Sequence, residues 1–461
     1  MLCPSPRKGK HSKRLPRNNK NEEHDFYNKA QNHARNGLPP VRNERPVMLK
    51  YAQALKIIAD HTGPLPTIEL APADAVGHVS AVKLESAMAV PPFDNSAMDG
   101  YAVRAADTGD ASDTNPLVLT VTGVVTAGEK TGSAQAEAGT AWEIMTGAAL
   151  PPGYDGVIPV EQVQVQRDSD GMPVSIELTQ SVASGRNLRR TGEDFAQGSL
   201  LLDAGQVIGA NQVMGLAATG TTSISVRCLP RIAAVTTGNE LGDEQSELQP
   251  GMIHDANGPY LQTALDEYGA KNAGVFRTGD SADELIERIE SLQPDVDMIV
   301  TTGGVSAGRM DFVPAALEQM GADILFHRVA IRPGKPLLFA LLPDGTRVFG
   351  LPGNPIAVAV GLRFFVVPAL RTMLGLPDER YLSAKLTEPM RKKPGLRFFG
   401  KASAGTDDSG NLVARVLPGQ ESFKISPLMQ SNCWVIAPEE ADEIPEGTAV
   451  RVAPTKPGTL I

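Results

Sequence analysis

Between residues 231 and 375 short apolar runs alternate with helical repeats, the pattern of a doubly wound α/β domain. The spacing predicts strands at 231–237, 272–277, 297–302 and 323–329, a β stretch at 337–350, and helices at 258–268, 281–292, 313–320 and 355–374. The helix after Ser281 is the best marked. Ser281 and Glu284 have capping-box spacing, and Leu285, Ile286, Ile289 and Leu292 share one face. Upstream, Leu49, Ala52, Leu55 and Ile58 step at helical intervals until His61, Thr62, Gly63 and Pro64 close the segment. From Pro116 to about Arg190 the apolar period falls to two among frequent Gly and Pro turns. After Pro377 short strands return, such as 412–416 and 434–436. The expected architecture is multi-domain, α/β plus β. It comprises a disordered basic tail at 1–45, a linking domain from 46–90 and 190–228, and a small β-rich domain at 91–189. The α/β domain at 229–377 and a C-terminal, barrel-like β domain at 378–461 complete it.

The 461 residues allow two to four domains with cores of ordinary size. Charge is unevenly placed: residues 1–45 hold eleven basic against four acidic residues, while the remainder carries a net charge of −17. An acidic body has no global attraction for nucleic acid or anionic lipid, so neither is expected as a partner. Aromatic residues, at 5%, are also too few for a base-stacking surface to be the default. Cys3, Cys228 and Cys433 form neither a CxxC metal pair nor a disulfide framework, which favours a reducing, cytoplasmic setting. The most apolar run, 356–370, is interrupted by Arg363 and Pro368 and reads as a core helix. The N-terminus lacks the apolar stretch of a secretory signal.

Several chemistries lose their support. No two glycines are two residues apart, so the GxGxxG dinucleotide fingerprint is absent. The segment from Gly395 to Lys401 approaches a phosphate loop, but Ala402 replaces the metal-binding hydroxyl and Leu396, Arg397, Phe398 and Phe399 fill it. No HExxH motif occurs.

Three loops fall where strands of the α/β domain end, the usual ligand edge of such sheets. They are Thr236-Thr237-Gly238-Asn239-Glu240, Thr301-Thr302-Gly303-Gly304-Val305-Ser306-Ala307-Gly308, and Gly350-Leu351-Pro352-Gly353-Asn354-Pro355. Small residues let backbone N–H groups approach an anion, and Pro355 suits the first turn of a helix whose positive end would face the same pocket. Arg332 and Lys335, on a turn stiffened by Pro333 and Pro336, are candidate anion clamps. Glu240, Asp255, Asp280 and Asp311, with Asp99 and Asp194 outside the domain, add loop carboxylates. Beside a phosphate they would repel the ligand unless they held a divalent cation, so magnesium is implied if the pocket takes phosphate. Each loop, cation or carboxylate taken singly also fits a plain turn, a solvated side chain or a helix cap.

The run Pro92-Phe93-Asp94-Asn95-Ser96-Ala97-Met98-Asp99-Gly100-Tyr101-Ala102-Val103 resembles the signature of the molybdopterin molybdenumtransferase (MoeA) family, which includes the C-terminal domain of gephyrin. The resemblance continues in order through residues 145–147, 190–194, 237–241, 303–306, Asp311, 333–336 and 350–355, covering roughly 46–461. It implies insertion of molybdate into adenylylated molybdopterin with release of AMP, a magnesium-dependent last step of molybdenum cofactor synthesis. It also implies an elongated homodimer with the active site between the α/β domain of one subunit and the small β domain of the other, and a transient partner that delivers the adenylylated pterin.

By the same resemblance Glu240, Asp280 and Asp311 are metal-site positions, and Asp99, Glu240, Asp311 and Lys335 are catalytic ones. Thr146, Asp194, Thr237, Gly303, Gly304, Ser306, Arg332, Pro352, Gly353, Asn354 and Pro355 are substrate-binding. Metal would polarise the pyrophosphate bridge, a molybdate oxygen is the expected nucleophile, and Lys335 and Arg332 would offset anionic charge. The sequence departs from the commoner pattern at Arg332, where many relatives have Lys, at Asn239, where many have Asp, and at Phe398, where an acid is usual. A gephyrin-like scaffold or pterin-binding dimer is the alternative, and a different α/β enzyme such as a nucleotide amidohydrolase is a third reading. Carboxylates and cations gathered in one pocket favour chemistry over a scaffold surface.

Overall fold

The structure, a computed structural model, describes residues 48–130, 135–242, 247–306 and 312–456. The basic tail 1–45 lies outside the described residues. Two compact units form, one from residues up to Pro66 together with Arg227 onward, the other from Thr67–Val226.

In the first unit the predicted alternation becomes β1 (Arg231–Thr237), α1 (Asn257–Glu267), β2 (Lys271–Thr278), α2 (Ala282–Leu292), β3 (Met298–Thr302), α3 (Phe312–Gln319), β4 (Asp323–His327), β5 (Leu338–Leu341) and β6 (Arg347–Leu351). A long helix, α4 (Pro355–Met373), follows. The six strands stand in the order β2-β1-β3-β6-β5-β4. Strands β2, β1, β3 and β6 are parallel, whereas β5 runs antiparallel between β6 and β4. The β stretch expected at 337–350 is therefore a hairpin. Gly345, at φ 88°, takes the left-handed conformation that its turn requires. All of β3, and all of β1 except Arg231, is buried, as strands of a covered parallel sheet must be.

Helix α4 is apolar enough by length and composition to cross a membrane, but 83% of its most apolar window is buried within the protein. It is the core helix that its sequence suggests. Pro368 lacks an N–H, so the carbonyl of Phe364 loses its usual helical donor, and the turn Leu362–Val366 widens to π geometry. The hydroxyl of Tyr51 donates to that carbonyl at 3.4 Å. Tyr51 belongs to the helix Tyr51–Asp60, whose buried Tyr51, Ala54 and Ile58 join the α/β core. This helix packs with the α/β core rather than with residues 67–226. The apolar face of the helix is completed by α4, and the division between units falls at Pro66.

The C-terminal segment closes into a barrel of β7 (Leu382–Leu386), β8 (Arg397–Thr406), β9 (Leu412–Val416), β10 (Cys433–Ala437) and β11 (Ala449–Pro454). Its order is β8-β9-β7-β11-β10, and β10 pairs back onto β8. The short strand Ile331–Arg332 pairs with the start of β8, which joins barrel and α/β domain. The Gly395–Lys401 segment is thus the entry to a barrel strand and forms no phosphate loop. Phe398 is buried in the barrel core, and Arg397 pairs with Glu439 at 2.8 Å.

In the second unit a six-stranded sheet runs in the order 156–159, 100–103, 140–144, 117–125, 173–178, 164–167. A separate core gathers Ala75, Leu202, Ile208, Leu216, Ile224 and Val226 beside the helix Ala210–Ala218. Cys433 is a free, buried thiol.

Arg363, on α4, is 3% exposed and makes two bonds to Glu379, at 2.8 and 2.6 Å, and one to the carbonyl of Pro454. Removing the carboxylate would leave a buried guanidinium with one neutral partner. Glu379→Ala is expected to cost about 3 kcal/mol in chemical denaturation, in line with other broken buried pairs. A loss well under about 1 kcal/mol would mean that the pair behaves as a surface one.

Candidate active site

The sheet reverses its winding between β1 and β3, and loops following these strands bound the crevice where open α/β sheets take ligands. After β1, Thr237 is buried and its Oγ1 donates to the carbonyl of Thr302 at 3.0 Å. After β3, Gly303 has φ 93° and Gly304 φ 61°. A Cβ on Gly303 would lie 2.5 Å from Thr237 Oγ1 and 2.8 Å from its carbonyl oxygen, so only glycine lets these loops approach. After β6, Gly353 lies against Gly303, and its carbonyl accepts from Asn257 Nδ2 at 2.8 Å. All three loops line one cavity of about 1100 Å³.

The carboxylates divide by task. Asp280 exchanges bonds with Asn239, accepting from its N–H at 3.3 Å while its own N–H donates to Asn239 Oδ1 at 3.2 Å. The loops after β1 and β2 are thereby tied, and the amide at 239 does work that a carboxylate there could also do. Glu240 folds back over Gly238, where a Cβ would come within 2.6 Å of Oε2. Both acids line the cavity. Asp255 also lines it, but its Oδ1 accepts from the N–H groups of Asn257 and Gly258 at 2.9 and 3.0 Å, so it caps α1. Asp311 lies outside the described residues.

Glu240 and Asp280 are hard oxygen donors on one cavity, which suits Mg²⁺, an ion commonly held by one or two carboxylates plus substrate phosphates. Among the described residues no three His, Cys, Asp or Glu side chains gather closely enough to hold a metal by themselves. A metal here would complete its coordination with phosphate and water.

Opposite charge comes from the turn after β4. Arg332 and Lys335 are exposed, line the cavity, and have no side-chain partner among the described residues. Gly334, at φ 101°, turns the chain between them. Pro352, Gly353, Asn354 and Pro355 line the same space at the start of α4, as do Gly303, Gly304 and Ser306. The first free N–H of α4 is partly spoken for, since Ile356 donates to the carbonyl of Ser422 at 3.0 Å.

In the second unit Asp99 Oδ1 accepts from the N–H and Oγ1 of Thr146, at 2.6 and 2.7 Å. These bonds hold the Asp99 carboxyl below its usual range, so it is ionised at neutral pH. Two site residues separated by 47 positions therefore meet. Asp194 is exposed on a loop whose backbone N–H donates to Val90.

Sequence reasoning missed the barrel's share. Lys393, Leu396, Gln420, Ser422, Phe423 and Ile425 also line the cavity. Lys393 is exposed and without a side-chain partner among the described residues. Its Lys-Lys-Pro-Gly setting was a visible signal, but in sequence it is indistinguishable from a solvated turn.

Three family models match in register with these parts: "MoeA N-terminal region (domain I and II)" over 49–220, "Probable molybdopterin binding domain" over 233–372, and "MoeA C-terminal region (domain IV)" over 383–455. The chain is 34% identical over 418 residues to the molybdopterin molybdenumtransferase of Synechococcus elongatus, covering 88% of this chain and 99% of the relative. The chain belongs to the molybdopterin molybdenumtransferase (MoeA) family. The Bacillus subtilis molybdopterin molybdenumtransferase is likewise 34% identical, over 79% of this chain and 84% of its own. Among solved structures, the molybdopterin biosynthesis MoeA protein of Pyrococcus horikoshii superposes with a TM-score of 0.75 at 30% identity, covering 89% of this chain and 99% of that one.

Gly303→Ala adds backbone strain and a collision with Thr237. Gly395→Ala, at φ 79° with nothing within 4 Å, adds strain alone. Both are expected to lose about 1 kcal/mol or more of stability through strain. Only Gly303→Ala should also weaken pyrophosphate binding in calorimetry, by about tenfold, through the displaced loop.

Proposed function

We propose that this chain is a molybdopterin molybdenumtransferase, as its Synechococcus elongatus and Bacillus subtilis relatives are named, and that it inserts molybdate into adenylylated molybdopterin and releases AMP. The observation that carries this reading is the convergence on one cavity of close-packed glycine loops, three cations outside any ion pair among the described residues (Arg332, Lys335 and Lys393) and the acids Glu240 and Asp280.

The chain's own contributions follow from placement. The Gly303 N–H donates to the carbonyl of Leu351 at 3.0 Å, and the N–H groups that follow it in the Gly303–Gly304 turn, free of Cβ shielding at both glycines, suit phosphate oxygens. Arg332 presents a planar fork to a phosphate or molybdate oxygen pair, and Lys335 a compact charge. Both offset the negative charge that accumulates as the phosphorus–oxygen bond to AMP breaks and a molybdate oxygen takes its place. Glu240 and Asp280, with Asp311 as the third metal-site position the family resemblance implies, would hold Mg²⁺, which supplies Lewis-acid charge to the pyrophosphate oxygens when bound. Asp99, as a catalytic residue fixed by Thr146, and Thr146 and Asp194, as substrate-binding ones, are assigned to the site through the homodimer. A transient partner delivering the adenylylated pterin and a cytoplasmic setting belong to the same reading.

Incubation with adenylylated molybdopterin, molybdate and Mg²⁺ should release AMP and form cofactor; no AMP above an enzyme-free control would refute the transferase. Lys335→Ala should lower kcat/KM about 100-fold, equivalent to about 2.7 kcal/mol of lost transition-state stabilisation. Wild-type kcat/KM in that variant would return Lys335 to a solvated turn. Asp280→Asn should raise the Mg²⁺ concentration for half-maximal turnover about tenfold; an unchanged requirement would remove it from the metal site.

A further inference from the structure

The barrel wall of the cavity carries a group that phosphate chemistry leaves unused. Phe423 is the one Phe, Tyr or Trp among the residues lining the cavity, and it is 63% exposed. No other ring or cation packs on it among the described residues. A scattered exposed phenyl ring is ordinary on a surface; this one is mounted on a fastened backbone.

The fastening comes from Lys401, which is 0% exposed. Its ammonium donates to the carbonyls of Gly419, Glu421 and Lys424 at 2.8, 3.3 and 2.9 Å. Gln420 adds a second clasp: its Oε1 accepts the N–H of Lys401 at 3.0 Å, and its Nε2 donates to the carbonyls of Lys401 and Leu417 at 2.8 and 2.7 Å. The Ser422 carbonyl is held by Ile356 of α4. Backbone on both sides of Phe423 is thus fixed while the ring faces open space. A ring ordered in advance loses little freedom when a flat ligand settles on it.

Arg332 and Lys335 line the same cavity, so a ligand that joins a phosphate to a flat ring can satisfy the cations and the phenyl face together. The volume, about 1100 Å³, exceeds what a bare oxyanion needs. We infer that Phe423 is a stacking platform for a flat nitrogen heterocycle of the substrate, with its loop preset by Lys401. The inference rests on the transferase reading and names the part of that substrate the barrel recognises.

Calorimetry on the full chain with AMP, molybdopterin and inorganic pyrophosphate tests it. Phe423→Ala should weaken at least one ring-bearing ligand about tenfold while pyrophosphate changes less than about twofold. Loss for AMP assigns the adenine ring, and loss for molybdopterin assigns the pterin. Phe423→Trp should restore the affinity and Phe423→Leu should not, because only an aromatic face stacks. Unchanged affinity for both ring-bearing ligands, equal loss for pyrophosphate, or restoration by Leu would overturn the platform. Absence of turnover with a persistent ring-dependent loss would remove the transferase reading and leave the platform standing.

Discussion

The site depends on how closely two backbones can pass at the carboxyl edge of the sheet. Gly303 lies so near Thr237 that a single methyl group would collide with both the hydroxyl and the carbonyl of that residue. Because the approach is allowed, the loop after β3 can lie between those after β1 and β6, and one cavity replaces three separate turns. Thr237 then secures the contact with a bond to the Thr302 carbonyl. Oppositely charged groups can only be useful around a space built in this way. Unpaired cations and unpaired acids would otherwise neutralise each other directly or remain apart in water.

A second constraint is the union of barrel and α/β domain within one unit. It arises from small local contacts: the pairing of Ile331–Arg332 with β8, the bond from Arg363 to the Pro454 carbonyl, and the bond from Ile356 to Ser422. The aromatic cluster around Phe364, Phe399 and Trp434 adds apolar area to the same junction. One consequence reaches the chemistry. The barrel is held where Lys393 and Phe423 can line a cavity whose floor belongs to the other domain.

Much of this was legible from the residues alone. The α/β alternation, the Ser281 cap and the three loops at strand ends follow from local chemistry, and Ser281 Oγ does accept from Glu284 at 3.4 Å. The bond between Asp99 and Thr146, 47 positions apart, is one that nothing in their spacing predicts. What stayed hidden depends on closure over long distances. Lys401 looks like part of a failed phosphate motif until the barrel folds and three carbonyls surround its ammonium. Asp255 looks like a ligand until two helical N–H groups claim it. The helix at 51–60 presents an apolar face in sequence but not the identity of the helix that covers it, whereas the turn of the hairpin within 337–350 is marked by Pro343-Asp344-Gly345 between two apolar runs.

The transferase reading and the geometry meet in one requirement, that a nucleotide phosphate bind among these loops. A crystal structure of the full chain with AMP at saturating concentration measures this most directly. The phosphate is predicted between the Gly303–Gly304 turn and the side chains of Arg332 and Lys335. Ordered AMP elsewhere on the protein, with only solvent between those groups, would contradict it.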